Sequence, residues 1–198
     1  MNYHYMFKTI FIGNTGVGKS SILQQYADQV FDPYKTTTIG VDYTSKIVKI
    51  GKYDIRLQLW DLSGQSTFRN IISSYYKHAH IVYFVFDKTE RSSFTDFNEW
   101  IKQLENRLDK IQLVLIGNKL DRLYFSVSKE EGEELAERYH ALYYEISAKE
   151  PNNLSLIIEE PVQYYYNRFI REKTFAPLER FEPTAPLLHD TVHWCCFS

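Results

Sequence analysis

Gly13-Asn14-Thr15-Gly16-Val17-Gly18-Lys19-Ser20 decides how the rest of this 198-residue chain is read. It has the form GxxxxGKS, with an apolar run from Met6 to Ile12 before it and Ser21-Ile22-Leu23-Gln24-Gln25-Tyr26, the first turns of a helix, after it. Strand, glycine turn and helix start are the context in which such a stretch holds phosphate. The glycines let successive backbone N–H groups point into one concavity, and the helix start adds a partial positive charge. Lys19 can reach the outer phosphates, and the Ser20 hydroxyl can hold a Mg²⁺. A nucleoside triphosphate suits all of these groups together. The bland alternative, a Gly-rich turn beside a surface lysine, leaves the flanking strand and helix unexplained.

Outward from this loop, Tyr5 to Ile12 is a strand candidate and about Lys19 to Ala27 a helix. Asp32 to Thr38 carries no apolar period and reads as a loop. Thr44 to Ile50 and Tyr53 to Trp60 alternate in part and are joined by Gly51-Lys52, a hairpin signature. Asp61-Leu62-Ser63-Gly64-Gln65-Ser66 then falls at a sheet edge, where ligands collect in open α/β folds. Strands and helices alternate from there: Ile81 to Asp87, helix Ser93 to Leu108, Gln112 to Asn118, helix Lys129 to His140, Leu142 to Ile146. In the last helix candidate, Asn153 to Arg171, Pro161 either kinks the helix or begins it. The expectation is α/β: a three-layer P-loop NTPase fold whose six-stranded, mostly parallel sheet has one antiparallel strand and helices on both faces. Residues 1–173 form the expected nucleotide-binding domain, and 174–198, broken by Pro177, Pro183 and Pro186, a flexible tail.

Composition narrows the partners. A net charge of −2 without a long basic run gives nucleic acid no electrostatic handle. The two cysteines, Cys195 and Cys196, are neighbours near the end of the sequence and cannot staple a fold, which fits a reducing compartment. Neither a signal peptide nor a membrane span is expected, so the chain is placed on the cytosolic side. Tyrosine is unusually common, at sixteen residues, and the sequence gives no functional reason for that abundance.

Asn118-Lys119-Leu120-Asp121 follows a buried strand and points to the base. A carboxylate fixed there accepts two hydrogen bonds from the ring N–H and exocyclic amine of guanine, whereas adenine offers no matching donors. Ser147-Ala148-Lys149, after the last strand, would close over the base.

With these motifs in place the chain resembles the small GTPases of the Ras superfamily and, among them, the Rab family, over about residues 6–171. Five further segments carry the likeness: Ile39-Gly40-Val41-Asp42-Tyr43, Arg56 to Trp60, Leu59 to Gln65, Phe68 to Lys77 and Phe86 to Phe94. The resemblance implies GTP and GDP binding with Mg²⁺, a monomer, and slow hydrolysis. Nucleotide contacts fall to residues 13–21, Ser21 included, and to the two base motifs. The resemblance matches Thr38 to the threonine that completes the Mg²⁺ shell beside Ser20 only when a γ-phosphate is present. Gly64 matches the glycine whose N–H meets that phosphate, Asp61 holds the metal through water, and Gln65 orients the attacking water. Phe31 either packs edge-on against guanine or is a plain core residue. Effectors are implied at Ile39 to Tyr43, Trp60, Phe68, Tyr75 and Tyr76, an apolar strip of the kind proteins bind, although Trp60 and the tyrosines also read as core. An exchange factor, a GTPase-activating protein, and a GDP-dissociation inhibitor or escort protein complete the implied partners.

Rab proteins usually carry Asp-Thr-Ala-Gly-Gln-Glu in the second switch, where this chain has Leu62, Ser63 and Ser66 in place of Thr, Ala and Glu. Retained Asp61, Gly64 and Gln65 imply retained hydrolysis with altered partner recognition; the alternative is a nucleotide-stabilised module without turnover. A kinase of the phosphate-loop type gives no reason for the Asn118 motif, Thr38 or the terminal cysteines. Cys195 and Cys196 resemble the double-cysteine ends that receive geranylgeranyl groups, while Cys195 with Ser198 as the final residue also fits a single farnesyl. The formal charge of 174–198 is −2, so no polybasic patch supplies a second anchor and two lipids are the more consistent reading. The expected location is the cytosolic face of endomembranes, in exchange with cytosol, in vesicle traffic.

Overall fold

The computed structural model describes residues 3–65, 67, 72–150 and 152–171. Ser66, Phe68, the tail 174–198, Cys195 and Cys196 lie outside the described residues. Six strands form one sheet in the order β2-β3-β1-β4-β5-β6: β1 Tyr5–Ile12, β2 Val41–Ile50, β3 Tyr53–Leu62, β4 Ile81–Asp87, β5 Gln112–Asn118 and β6 Leu142–Glu145. Only β2 runs antiparallel, paired with β3 through Ile50 and Tyr53 around the Gly51 turn. Gly51 has φ +58, which that tight turn requires. The expected fold class is therefore the observed one.

β4 and β5 are buried at every position, as strands covered on both faces must be. One face packs Phe11, Tyr83, Val114 and Ile116 under α1 (Lys19–Asp28) and α5 (Leu154–Tyr165). The other packs Ile10, Phe84, Leu115 and Trp100 under α2 (Arg91–Thr95), α3 (Phe97–Ile101) and α4 (Lys129–Arg138). Ser128 begins α4 with a capping box: its hydroxyl accepts the Glu131 N–H, and the Glu131 carboxylate accepts the Ser128 N–H.

One helix differs from expectation, and the structure decides between the two readings of Pro161 in another. The span Ser93 to Leu108 is not one helix but α2, α3 and a 3₁₀ run over Lys102–Lys110. Ser93 and Thr95 turn their hydroxyls onto the carbonyls of Glu90 and Ser92, and the Asp96 carboxylate accepts from Asn14, local bonds that compete with a regular helix. Pro161 neither begins α5 nor sits in its first turn. It lies inside the helix, which starts at Leu154 and passes into a wider π-type turn at Tyr166–Arg171.

The tyrosines hold α5 despite that missing N–H. Tyr83 donates to the Ile158 carbonyl at 2.8 Å, Tyr144 to Glu160 at 2.8 Å and Tyr26 to Glu159 at 3.1 Å. Burial raises all three hydroxyls above the ordinary phenol range, so they remain donors. Each bond is worth about 1 kcal/mol net, and the three fall on consecutive residues just before the proline. Tyr5, Tyr53 and Tyr166 add a ring cluster with centroids 5.4 to 5.5 Å apart. No helix among the described residues is long and apolar enough to cross a membrane.

His80 is a half-buried titrating group against this core. Its Nδ1 accepts the Lys8 N–H at 2.8 Å, and its ring lies 5.4 Å from Tyr165. Burial, and then the charge of Arg107, lowers its pKa to about 4. Between the unfolded value near 6.5 and 4 the unfolded chain binds the extra proton, so stability present above pH 6.5 is lost as pH falls through that window. The loss amounts to up to about 3 kcal/mol. The thermal midpoint is therefore expected to drop between pH 7 and 4.5, and His80→Asn, which keeps an acceptor for Lys8, flattens the drop.

Candidate nucleotide site

Gly13, Gly16 and Gly18 adopt φ of +132, +78 and +100 between β1 and α1, a curve only glycine takes without strain. Two of them are also forced by close approach. A Cβ at Gly13 would lie 2.1 Å from the Val85 carbonyl oxygen, and one at Gly18 would lie 2.2 Å from Asn118 Nδ2. Lys19 is buried at the start of α1, its ammonium donating to Gly13 O at 2.8 Å and Asn14 O at 2.9 Å. Burial lowers its pKa to about 8, with the Asp61 carboxylate acting the other way. Asn14 is pinned from the far side of the sheet. It donates to Asp96 at 2.8 Å and accepts the Trp100 indole N–H at 2.9 Å, a tie that no sequence motif announced.

Asn118 ends β5 2 % exposed, with its carboxamide donating to Val17 O at 2.8 Å and accepting the Ala148 N–H at 3.0 Å. Lys119 takes the left-handed conformation at φ +68, and its ammonium meets Asp87 at 2.6 Å. Burial alone would raise Asp87, but hydrogen bonds from Lys119 and Thr89 outweigh it and hold the carboxyl below its usual range. Ser147 donates to Asp121 at 2.7 Å and accepts the N–H groups of Lys149 and Glu150. The Asn118-Lys119-Asp121 and Ser147-Ala148-Lys149 segments thus meet beside the phosphate loop. Phe31 is half-buried and packs against the core cluster, a placement that fits either of its two readings.

On the opposite side Ser20, Thr38 and Asp61 converge. The Ser20 and Thr38 hydroxyls lie 2.6 Å apart, and both reach the same oxygen of Asp61, Thr38 at 3.2 Å. Asp61 Oδ1 is buried without a hydrogen-bond partner among the described residues. Burial pushes this carboxyl up, against the hydrogen bonds from Ser20 and Thr38 and the charge of Lys19. Lys35, in the exposed loop, fastens that loop to α1 through Ser20 O at 3.3 Å and Gln24 at 3.1 Å. Gly64 sits against the phosphate loop, where a Cβ would lie 2.3 Å from Asn14 C and Thr15 N. Ser63 is fully buried, its N–H bonded to Gly40 O at 2.9 Å and its hydroxyl accepting the Gln65 N–H at 3.3 Å. Leu62 is core.

The expected apolar strip is narrower than its sequence reading. Tyr76 is 4 % exposed and packs with Ile72, Ala79 and Ile10, so it is a core residue, placed there by the 3₁₀ turn Ser73–Tyr76. Trp60 and Tyr75 are half-buried with rings 5.5 Å apart, and Tyr43 lies 4.8 Å from Trp60. Ile39 is 79 % exposed, and the Lys8 ammonium lies 5.1 Å from the Trp60 ring.

Comparison with known proteins agrees with this geometry. The Ras family model matches residues 8–167. The chain is 38 % identical to Ras-related protein Rab-18 of Lymnaea stagnalis over 158 residues, 79 % of this chain and 78 % of that protein. It is 36 % identical to Ras-related protein Rab-11B of Dictyostelium discoideum over 176 residues, 88 % and 80 % of the two chains. Against human Ras-related protein Rab-30 it is 38 % identical over 155 residues, 77 % and 76 %. Phosphate loop, sheet order and these relatives agree, and the chain belongs to the Ras family of small GTPases, among its Rab members.

Proposed function

We propose that this protein binds GTP and GDP with Mg²⁺, hydrolyses GTP slowly, and acts as a Rab-type switch in vesicle traffic. The observation that carries the reading is the meeting of Ser20, Thr38 and Asp61 next to the buried Lys19. Among the described residues no three of His, Cys, Asp or Glu cluster as a metal site. Two hydroxyls and one carboxylate with a free buried oxygen instead suit a hard ion that takes its remaining ligands from phosphate and water. Mg²⁺ bound there would neutralise charge developing on the phosphate oxygens.

The chain's own residues do the rest. Lys19 exchanges the carbonyls of Gly13 and Asn14 for phosphate oxygens, and the loop N–H groups orient the triphosphate. Asp121 reads guanine, and Ser147 holds that carboxylate. Gly64 brings its N–H to the outer phosphate because it has no side chain to keep it off the loop. Gln65 orients the attacking water, its backbone fixed by Ser63, so the serine that replaces the family's alanine supports the catalytic turn. Thr38 ties the first switch to the filled site, so loss of the outer phosphate frees both switch segments.

Ile39 to Tyr43, Trp60, Phe68 and Tyr75 receive effectors in the GTP state. Exchange, activating and escort proteins complete the cycle at the cytosolic face of endomembranes. Residues 1–173 are the switch domain, and 174–198 the tail that carries prenyl groups on Cys195 and Cys196.

The test is single-turnover hydrolysis by the full chain with Mg²⁺, and with ATP as control. Wild type is expected to turn over GTP and not ATP, and Gln65→Leu to slow it by about tenfold or more. Tight GTP binding without turnover in either protein would establish the binding module instead. Mass spectrometry of cell-derived protein is expected to show two geranylgeranyl groups; a single farnesyl on Cys195 sinks the two-lipid reading.

A further inference from the structure

Lys88 follows β4 directly and is 3 % exposed, although it belongs to none of the phosphate, metal or base contacts. Its stem crosses Gly117 of β5, where a Cβ would lie 3.1 Å from Lys88 Cγ. Its ammonium pairs with Glu145 of β6, and the Tyr143 hydroxyl donates to the same carboxylate oxygen at 2.7 Å. The Phe125 ring covers the ammonium at 4.8 Å. One side chain therefore runs from β4 across β5 to β6, directly below the base-reading loops.

Its backbone is tied to the same loops. Lys88 N donates to Asn118 O at 3.1 Å, and Lys88 O accepts from Ser126 N at 2.8 Å and Val127 N at 3.2 Å. These bonds hold both ends of the 118–127 segment, which carries Lys119 and Asp121. Through Glu145 the ammonium also holds the strand that delivers Ser147, the donor to Asp121.

A buried ion pair is a poor source of stability, because two apolar side chains of similar volume give as much or more. What it gives in addition is a fixed distance and direction between the groups it joins. We propose that Lys88 and Glu145 are positioning residues for guanine recognition: their pair sets the spacing between the Asp121 loop and the Ser147 loop, and so the base preference and the release rate of the nucleotide. This rests on the guanine-nucleotide reading above.

The test uses the full chain and displacement of fluorescent GDP by GDP, by IDP, which lacks the exocyclic amine, and by ADP, with thermal unfolding alongside. Lys88→Met and Glu145→Gln are each expected to cut the GDP-over-IDP preference by at least about fivefold and to speed GDP release. The double variant Lys88→Met/Glu145→Met separates positioning from stability. Its unfolding midpoint is expected to return toward wild type while its base preference stays low, and it carries the test if a single variant does not fold. The proposal is overturned if base preference in the variants stays within about twofold of wild type, or recovers in step with the midpoint. A wild-type protein that binds ADP as well as GDP would instead overturn the guanine reading, and the proposal with it.

Discussion

One buried carboxamide, that of Asn118, fixes the distance between three loops that belong to three different strands. Its nitrogen donates to Val17 in the loop after β1, and its oxygen accepts from Ala148 in the loop after β6. Its own backbone ends β5 and accepts from Lys88 after β4. Both side-chain bonds are buried, so replacing the side chain would strand a buried carbonyl and a buried N–H at the same time, the expensive way to lose a hydrogen bond. The same residue explains a glycine at a distance. Gly18 lacks a side chain because of its φ and because Asn118 Nδ2 occupies the place of its Cβ. The glycine-rich stretch is thus as much a packing surface for the base loop as a cradle for phosphate.

Much of this was legible in the sequence, and the reasons are local. Tyr5–Ile12, Ile81–Asp87 and Gln112–Asn118 occupy the spans their apolar runs indicated, because strands buried on both faces leave little polar pattern to blur their ends. The hairpin was legible only in its middle. β2 begins at Val41 and β3 runs to Leu62, through Asp42, Tyr43 and Asp61, where polar side chains serve the site and the alternation fades. The pieces of the helix after β4 were not legible, because Asp96 is used by Asn14 across the sheet and not by its own turn. Lys88 was the least visible. In Asp87-Lys88-Thr89-Glu90-Arg91 a lysine looks like surface, and its burial depends on a glutamate 57 positions later and on the bare Cα of Gly117. Tyr76 had two readings, interface and core, and the 3₁₀ turn carries it into the core.

The two ends of the site are built to different standards, and that difference has consequences for how a switch of this type works. Around the base, Asn118, Ser147, Lys119 and Lys88 hold buried or half-buried bonds among neighbouring strand ends. At the Ser20–Thr38–Asp61 end, residues 32–37 are exposed, and the hydrogen bonds of that loop with the rest run through Lys35, Thr38 and Gly40. Segments with few buried contacts open at low free energy, while those tied into the sheet open only with it. A ligand can shift an equilibrium only by its difference in affinity for the two states, so an outer phosphate acts where opening costs little. On the proposed switch reading, the stiff end at the base would keep the nucleotide bound through the cycle, and the soft end at Thr38 would let a single phosphate decide the shape that a partner meets. Ser63 belongs to both regimes: its backbone ties it to Gly40 of the soft loop, while its buried hydroxyl holds the Gln65 turn close to the phosphate loop. The departures at Leu62 and Ser63 therefore fall on the inner side of the segment that ends β3, on core packing and turn geometry, and leave Asp61, Gly64 and Gln65 in place.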